Sequence, residues 1–586
     1  MRQWMVAAKK ADFYAIAEKF HVDPVVARII RNREVIGEKN IRIYLGGNLS
    51  DLSDPHQMKD MDRLVEILAQ KIRKQVHIRI IGDYDVDGVT SSHLFLTALR
   101  RVGAKVDVVI PHRIQDGYGL SLHLLQQAKE DGVDTILTCD NGIAAIDEIA
   151  WAKAQKMTVL VTDHHAVPFE EHEGRRTEKK SLADAVVNPH QQDCGYPYKE
   201  LCGAGVAWNV IRVLYENYDM DKREAEDLLD FVAMATVCDV MSLTGENRIL
   251  VKEGLKRIRH TKNIGLQALM QACNVQPENI SAYHFGYVLG PCVNATGRLD
   301  TARHALRLFE TGQETEAEEI ARDLVDLNQE RKELTLQGVE MAKKLCEEGG
   351  YENDPVLVLF LPDVHESIAG LIAGRIREMY NRPVFVLTRG EEGVKGSGRS
   401  TENYSMYENM CGCAELFTKF GGHPMAAGLS LPEENVEKFR RKINENCPLT
   451  VEEVCLDIHI DMAMPVGYAS TELVHQFALL EPFGKDNPSP LFADRNLSIS
   501  RMWLIGKNRN VLRMSVLSEY GQPVPVIFFG DVETLFAYFT EKFGQEEVEN
   551  ALHGRKNRIL FSMVYTAKID FYQGNENLQL EMKYYR

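Results

Sequence analysis

The chain has 586 residues, 45% of them hydrophobic and 26% charged, with a formal net charge of -17 at pH 7. That length exceeds what one core fills, so a soluble protein of three or four domains, about 100 to 200 residues each, is expected. No run approaches the roughly 18 consecutive apolar residues of a membrane span, and the acidic balance excludes a uniformly basic, nucleic-acid-coating surface while leaving room for a local positive groove.

Along the chain, residues 1–55 read as an N-terminal segment whose start, Met1-Arg2-Gln3-Trp4, carries no apolar signal core. The eleven cysteines are therefore expected to be reduced, in a cytoplasmic protein. Cys411-Gly412-Cys413 is the one tight pair, and without a second pair at zinc-ligand spacing it implies no metal. Residues 56–300 alternate apolar strands with helices, the strands expected at 77–81, 106–110, 135–139, 158–161 and 185–187. This is an open α/β pattern with a parallel sheet, in which ligands bind beyond the carboxyl ends of the strands. Residues 301–350 read as a long helical connector or helical pair, with Leu306, Leu308, Ile320, Leu324, Leu327 and Leu334 on a charged background. A second α/β lobe is expected at 351–449, with strands at 355–361 and 383–387, a helix at 367–379, and Gly-rich turns around Gly396 and Gly421. The interval 450–586 reads as a small β-barrel ending in a hairpin, 568–572 and 578–584 joined through 573–577. There is no internal repeat and no low-complexity tract.

The chemistry begins at Asp83-Tyr84-Asp85-Val86-Asp87-Gly88, three carboxylates at alternate positions directly after a buried strand. Such crowding calls for hard divalent cations bound through oxygen. An EF-hand loop opens the same way, but it needs a preceding helix and an acid at its twelfth position, which here is Leu94. Three further elements bring donors into the same region: Asp140 after the strand 135–139, Asp163-His164-His165 after 158–161, and Asp239 after an apolar helical run. Imidazole nitrogen completes coordination of borderline metals such as Mn²⁺. Gly203-Ala204-Gly205 lacks the third glycine and the preceding strand of a dinucleotide loop and is rejected as one.

This ordered set resembles the DHH phosphoesterase superfamily. Within it the chain is similar to the RecJ family of bacterial single-stranded-DNA-specific 5′→3′ exonucleases over nearly its whole length. That likeness also rests on Arg113 with Gly117-Tyr118-Gly119-Leu120, Asn294-Ala295-Thr296-Gly297-Arg298-Leu299, Ser397-Gly398-Arg399-Ser400, the run Gly421-Gly422-His423-Pro424-Met425-Ala426-Ala427-Gly428, and Glu481-Pro482-Phe483-Gly484-Lys485-Asp486-Asn487-Pro488.

The resemblance implies a DHH catalytic domain, the helical connector, a DHH-associated substrate-binding lobe and a C-terminal OB-like barrel. It implies two divalent ions, Mn²⁺ preferred or Mg²⁺, with Asp83 and Asp85 on one, Asp87, His164 and Asp239 on the other, and Asp140 between them. Two such ions lower the pKa of water and neutralise phosphate oxygens during in-line attack. By the same resemblance His165 faces the phosphate, Asp163 orients a neighbouring imidazole, Arg113, Ser397 and Arg399 bind the 5′-terminal phosphate, Arg298 contacts the strand backbone, and Gly421, Gly422 and His423 form a phosphate cradle near a helix start. In the terminal domain Trp503, Lys507, Arg509, Phe528 and Phe529 are candidates for stacking and backbone contacts, most of the aromatics being core. The implied biology is DNA repair and recombination, with a single-strand-binding protein and a RecQ-type helicase as partners. Val364-His365-Glu366-Ser367 and Cys292 depart from the family pattern, which commonly has Trp-His-x-Gly at the first position and Arg at the second; these bear on strand grip, not on the metal set. Two other readings remain: a DHH phosphoesterase for oligoribonucleotides or cyclic dinucleotides, and a non-catalytic DNA-binding scaffold.

Overall fold

The computed structural model describes residues 3–586 except 114, 115, 117, 118, 173, 174, 391, 392, 452, 454–456, 507–509 and 573. No helix among the described residues is long and apolar enough to cross a membrane. The chain divides into two compact units, Asn48–Leu456 and a second that joins Arg2–Gly47 to Asp457–Arg586.

In the first unit five strands, β1 (Ile78–Ile81), β2 (Val106–Val109), β3 (Thr135–Cys139), β4 (Thr158–Thr162) and β5 (Ala185–Val187), form an all-parallel sheet in the order β2-β1-β3-β4-β5. β1 and β3 are neighbours although β2 lies between them in sequence, so the strand order reverses there. In an open α/β sheet this reversal opens a crevice at the carboxyl ends. Asp83 follows β1 and Asp140 follows β3, which places both at that crevice.

The helix after the acidic run, α1 (Val86–Arg101), is capped by Asp85, whose side chain accepts from Gly88 N at 3.0 Å. Val89, Leu94, Phe95, Leu96 and Leu99 bury all its faces, as befits a helix inside a core. It packs against α2 (Gly203–Asn217) and α3 (Leu229–Cys238). Then come α4 (Ile264–Ala272), α5 (Gly290–Leu299) and α6 (Ala302–Glu310). The 35-residue α7 (Glu314–Glu348) spans about 52 Å. Its first half contributes Ala317, Ile320, Ala321 and Leu324 to the core of the sheet domain, and its second half contributes Val339, Ala342 and Cys346 to the next lobe. The expected connector is thus a short helix and one long strut whose buried stripe is shared between two cores.

The second lobe has α8 (Glu366–Tyr380) and a mixed sheet ordered β9-β10-β8-β7-β6, with β6 (Leu357–Phe360), β7 (Val384–Gly390), β8 (Gly393–Arg399), β9 (Lys419–His423) and β10 (Ala426–Leu431). Gly396 and Gly421, expected in turns, lie inside strands β8 and β9. The reason at Gly396 is packing: a Cβ there would sit 2.4 Å from Leu387 Cδ2 and 3.0 Å from Leu429 Cδ1, so the glycine admits neighbouring side chains across the sheet.

In the second unit β11 (Met462–Ala463) leads a sheet with β12 (Phe492–Ile505), β13 (Val511–Leu517), β14 (Pro523–Phe528), β15 (Leu560–Tyr572) and β16 (Asn575–Tyr585). Pairing runs β12-β13-β14-β16-β15 and returns from β15 to β12, a closed circuit. The N-terminal segment takes part in this unit: Trp4–Val6 pairs in parallel with Ile458–Ile460. The helix Pro24–Asn32 exposes Val25, Val26, Ile29 and Ile30 on one face, and the apolar residues of the strand domain cover it. Asn487, from the Glu481–Pro488 run, accepts from Tyr44 Oη at 2.8 Å and donates to the carbonyls of Leu480 and Pro482, while Arg33 forms a buried ion pair with Asp461 at 2.7 Å.

His93, inside α1, lies between Phe231 and Phe309 at ring separations of 4.4 and 5.9 Å, and burial followed by the Arg100 charge lowers its pKa to about 3. The unfolded value is near 6.5, so below that pH the unfolded chain takes up a proton that the folded chain refuses. Stability from this group is complete above pH 6.5 and declines as pH falls toward 3. Between pH 7 and pH 5 the loss is about 2 kcal/mol. His93→Leu is expected to lack this component, so the difference in denaturation midpoint between pH 7 and pH 5 is smaller in the variant than in the wild type; equal differences would refute the assignment.

Candidate metal centre

Each acidic element is fixed by its local backbone. Asp140 occupies the left-handed region at φ 61°, a strained conformation for a residue other than glycine, at the end of β3. The turn is held by Thr138 Oγ1 donating to the Asn141 carbonyl at 2.8 Å, and by Asn141 Nδ2 donating to the carbonyls of Ile81 and Cys139 at 3.1 and 2.9 Å. Asp87 is aimed by α2: its two carboxylate oxygens accept from Gly203 N at 2.6 Å and Ala204 N at 2.7 Å. Gly203 is required there, because a Cβ would lie 2.6 Å from that of Asp140. The rejected dinucleotide motif is therefore a helix N-terminus whose amides hold a carboxylate. Asp239 caps the C-terminus of α3.

These turns bring donors from four segments together. The ligand atoms of Asp83, Asp85 and Asp140 lie within 4.8 Å of one another, as do those of Asp87, His164 and Asp239, and those of Asp140, His164 and His165. His164 Nε2 is 3.1 Å from Asp140 Oδ1, 3.6 Å from Asp239 Oδ2 and 3.7 Å from Asp87 Oδ2. Among the described residues, Asp83 Oδ1 and His164 Nε2 are buried without a hydrogen-bond partner. Buried donors of this kind, from carboxylate oxygen and imidazole nitrogen, fit divalent cations such as Mn²⁺ or Mg²⁺.

The electrostatics agree with that fit. Burial, followed by Asp85, pushes Asp83 well above the carboxylate range; burial, followed by Asp87, raises Asp85; burial, then Asp87, Asp85, Asp239 and Asp83, pushes Asp140 up. Burial also lowers His164, keeping its imidazole neutral and able to ligate. Burial likewise opposes charge on His165, but the Asp163 hydrogen bond and charge, with Asp239 and Asp87 beyond, raise it to about 9. Asp163 Oδ1 accepts from His165 Nδ1 at 2.8 Å and from the backbone N of His164 and His165 at 2.7 and 3.1 Å, and its Oδ2 accepts from Ile143 N at 2.9 Å. The imidazole that Asp163 orients is thus that of His165.

Beside this acidic group stands a basic one. Arg113 lies over the Tyr84 ring at 4.7 Å, and Arg298 donates from Nη1 to the Ser367 carbonyl at 2.6 Å. Burial, then the charges of Arg113, Arg331 and Arg399, lowers Arg298 to about 9, and burial, then Arg113 and Arg377, lowers Arg399. Among the described residues none of Arg113, Arg298 and Arg399 is within ion-pair distance of a carboxylate. Clustered guanidinium groups in that state favour an anion. A cavity of about 430 Å³ opens here, lined by Arg113, Lys395, Ser397, Lys419 and Gly421.

Not every expected residue lines it: Arg298 and Arg399 do not. Gly422 and His423 lie on exposed β9, outside that lining, and the run begins no helix: it pairs with β10 in a hairpin. Gly117 and Tyr118 of the resemblance, like Lys507 and Arg509, lie outside the described residues. In the second unit Phe528 is core and Phe529 is 59% exposed, while Trp503 is flanked by Arg501 and Arg513 at 5.6 and 5.9 Å. Sequence reasoning missed Lys395, Lys419 and Arg331. The signal for Arg331 was Asn328, a polar residue on the buried stripe of α7 one turn earlier, whose Oδ1 accepts from Arg331 Nε at 3.1 Å.

Comparison with known proteins supplies the family. The DHH family N-terminal domain matches residues 77–236, the DHHA1 domain 353–447 and the RecJ OB domain 460–584. The single-stranded-DNA-specific exonuclease RecJ of Haemophilus influenzae is 32% identical over 582 residues, 96% of this chain and 96% of that one. Its Escherichia coli counterpart is 31% identical over 579 residues, 95% of each chain. The Bacillus subtilis RecJ is 32% identical over 512 residues, 87% of this chain but 63% of its own, so the present chain spans less than two thirds of that relative. In fold, RecJ of Thermus thermophilus in complex with Mn²⁺ aligns with a TM-score of 0.79 at 24% identity, covering 100% of this chain and 79% of that one. An exonuclease RecJ bound to manganese aligns at 0.57 with 32% identity, covering 66% of this chain and 94% of the other. From the crevice at β1 and β3 through the second lobe to the OB domain, the chain belongs to the RecJ family.

Proposed function

We propose that the protein is a cytoplasmic single-stranded-DNA-specific exonuclease that hydrolyses phosphodiester bonds from the 5′ end and acts in DNA repair and recombination. The observation that carries this reading is the adjacency of two three-donor groups, Asp83–Asp85–Asp140 and Asp87–His164–Asp239, to a cluster of half-buried arginines without carboxylate partners among the described residues. The first group would hold one divalent ion and the second another, Asp140 serving both, with Mn²⁺ preferred over Mg²⁺. Bound there, the ions supply an activated water and neutralise the charge of the reacting phosphate.

The remaining steps belong to side chains. Asp163 holds His165 Nδ1, so the imidazolium presents Nε2 to a phosphate oxygen and stabilises charge as it builds in the transition state. Arg113, Ser397 and Arg399 receive the 5′-terminal phosphate, and Arg298, with Arg331 behind it, meets the following backbone. Gly421 lets the strand approach β9, and Gly422 and His423 extend the same edge. Admission of one strand and exclusion of duplex would then be steric. Trp503 between two arginines suits stacking in the OB domain, with further strand supplied by a RecQ-type helicase and covered by single-strand-binding protein.

Asp140→Ala is expected to lower kcat on an end-labelled single strand by more than about 100-fold, and to reduce the Mn²⁺ stoichiometry measured by calorimetry. Retention of full nuclease activity would overturn the metal assignment. Arg399→Ala is expected to raise KM about tenfold for a 5′-phosphorylated strand while changing little for a 5′-hydroxyl strand, and to flatten the plot of log KM against log salt by about 0.7. A uniform fall in kcat on both strands would instead place Arg399 outside phosphate recognition. Faster turnover of a dinucleotide than of a long 5′-phosphorylated strand would replace the exonuclease reading with that of a small-oligonucleotide phosphoesterase.

A further inference from the structure

Cys292 stands in α5 two residues before Asn294, whose Oδ1 accepts from Val86 N at 3.2 Å in the acidic turn, and six before Arg298. Its Sγ lies 3.8 Å from that of Cys273, the residue capping the C-terminus of α4. Among the described residues no other pair of cysteine sulfurs makes such a contact. Cys292 is 2% exposed, whereas Cys273 is partly open to solvent. The Cys292 sulfur is also an anchor: Asn328 Nδ2 donates to it at 3.4 Å, and Asn328 Oδ1 in turn accepts from Arg331 Nε at 3.1 Å. A continuous chain of contacts therefore runs from a partly open thiol to the guanidinium of Arg331, whose charge acts on Arg298.

We propose that Cys273 and Cys292 are a redox-responsive pair that closes reversibly to a disulfide under peroxide and, in closing, loosens the hold of the protein on single-stranded DNA. The second half rests on the exonuclease reading above. Intracellular disulfides that form and reverse are characteristic of redox sensing rather than of structural bracing.

The order of events follows from access and charge. The hydrogen bond with Cys292, with the Lys332 charge, lowers Cys273, so the more open of the two sulfurs is the better nucleophile. Its thiolate attacks one oxygen of hydrogen peroxide; the O–O bond breaks, the departing hydroxide takes a proton and leaves as water, and Cys273 becomes a sulfenic acid. Cys292 sulfur then attacks the sulfenic sulfur, the S–O bond breaks, and the hydroxyl leaves as a second water carrying the Cys292 proton. Two thiols and one peroxide become one disulfide and two waters, two electrons having passed from sulfur to oxygen. Bond formation draws the sulfurs about 1.8 Å closer than their contact distance. That displacement acts on the Asn328 anchor and through it on Arg331.

The test uses the full-length protein, purified reduced, exposed to hydrogen peroxide without added metal and desalted. The expected results are an intact mass lower by about 2 Da, a non-reducing digest in which one peptide pair joins Cys273 to Cys292, and reversal by dithiothreitol. The Kd for a 5′-phosphorylated oligodeoxythymidine, read by fluorescence anisotropy, is expected to rise at least about threefold on oxidation and to recover on reduction. Cys273→Ser and Cys273→Ala are both expected to bind DNA like the reduced wild type and to show neither the mass loss nor the affinity change. Absence of the cross-linked peptides, or oxidation trapped on other cysteines, would overturn the pair; a complete cross-link with unchanged Kd would overturn the regulatory half. The mass and peptide readouts stand whether or not the reduced protein binds DNA, so a reduced protein that fails to bind counts against the exonuclease reading and not against the disulfide.

Discussion

Five carboxylates and an imidazole gathered in one crevice, most of them buried, set the terms for the first unit. Asp83, Asp85, Asp87, Asp140 and Asp239 cannot all ionise in a buried space unless cations or protons offset their repulsion. The fold does not relieve that crowding; it enforces it. The strand reversal at β1 and β3 converges two acidic turns, the left-handed backbone at Asp140 turns its carboxyl inward, and the N-terminus of α2 holds the Asp87 carboxyl with two amide hydrogens. The left-handed turn at Asp140 and the crowding of Asp83, Asp85 and Asp140 cost stability in the protein alone, and charge of the opposite sign entering the crevice offsets the crowding.

The arginines form the complementary pole. Arg298 sits in a site where burial and like charges work against it, without a carboxylate partner among the described residues. Acidic residues gathered at one place and basic residues beside them form a pair of unmet electrostatic demands, and a phosphodiester chain with divalent ions answers both at once. A net charge of -17 is no obstacle, because binding depends on the local field and not on the sum over the surface.

α7 is the mechanical element that makes the two lobes one unit. Its buried stripe continues from the core around α1 into the core around α8, so neither lobe completes its packing without it. On that stripe Asn328 interrupts the apolar series, joined to Cys292 on one side and Arg331 on the other.

The acidic and histidine residues that converge in the crevice, and the class of fold, were legible in the sequence because they are local: alternating carboxylates after an apolar strand, and an acid or histidine at the end of following strands, are patterns of a few residues. The long connector was legible for the same reason, its apolar period being written along one helix. Other features depend on atoms distant in sequence, and only tertiary structure decided them. Gly396 and Gly421 read as turns because glycine frees the backbone, but in the sheet Gly396 serves to admit Leu387 and Leu429. The N-terminal helices read as a separate segment because nothing within them names the partner that covers Val26 and Ile30. Gly203 and Ala204 read as a failed nucleotide motif, since their amides become meaningful only when Asp87, more than a hundred residues earlier, is brought to them. Local sequence sets which groups are available and which way a short segment turns; long-range packing alone determines which of those groups meet.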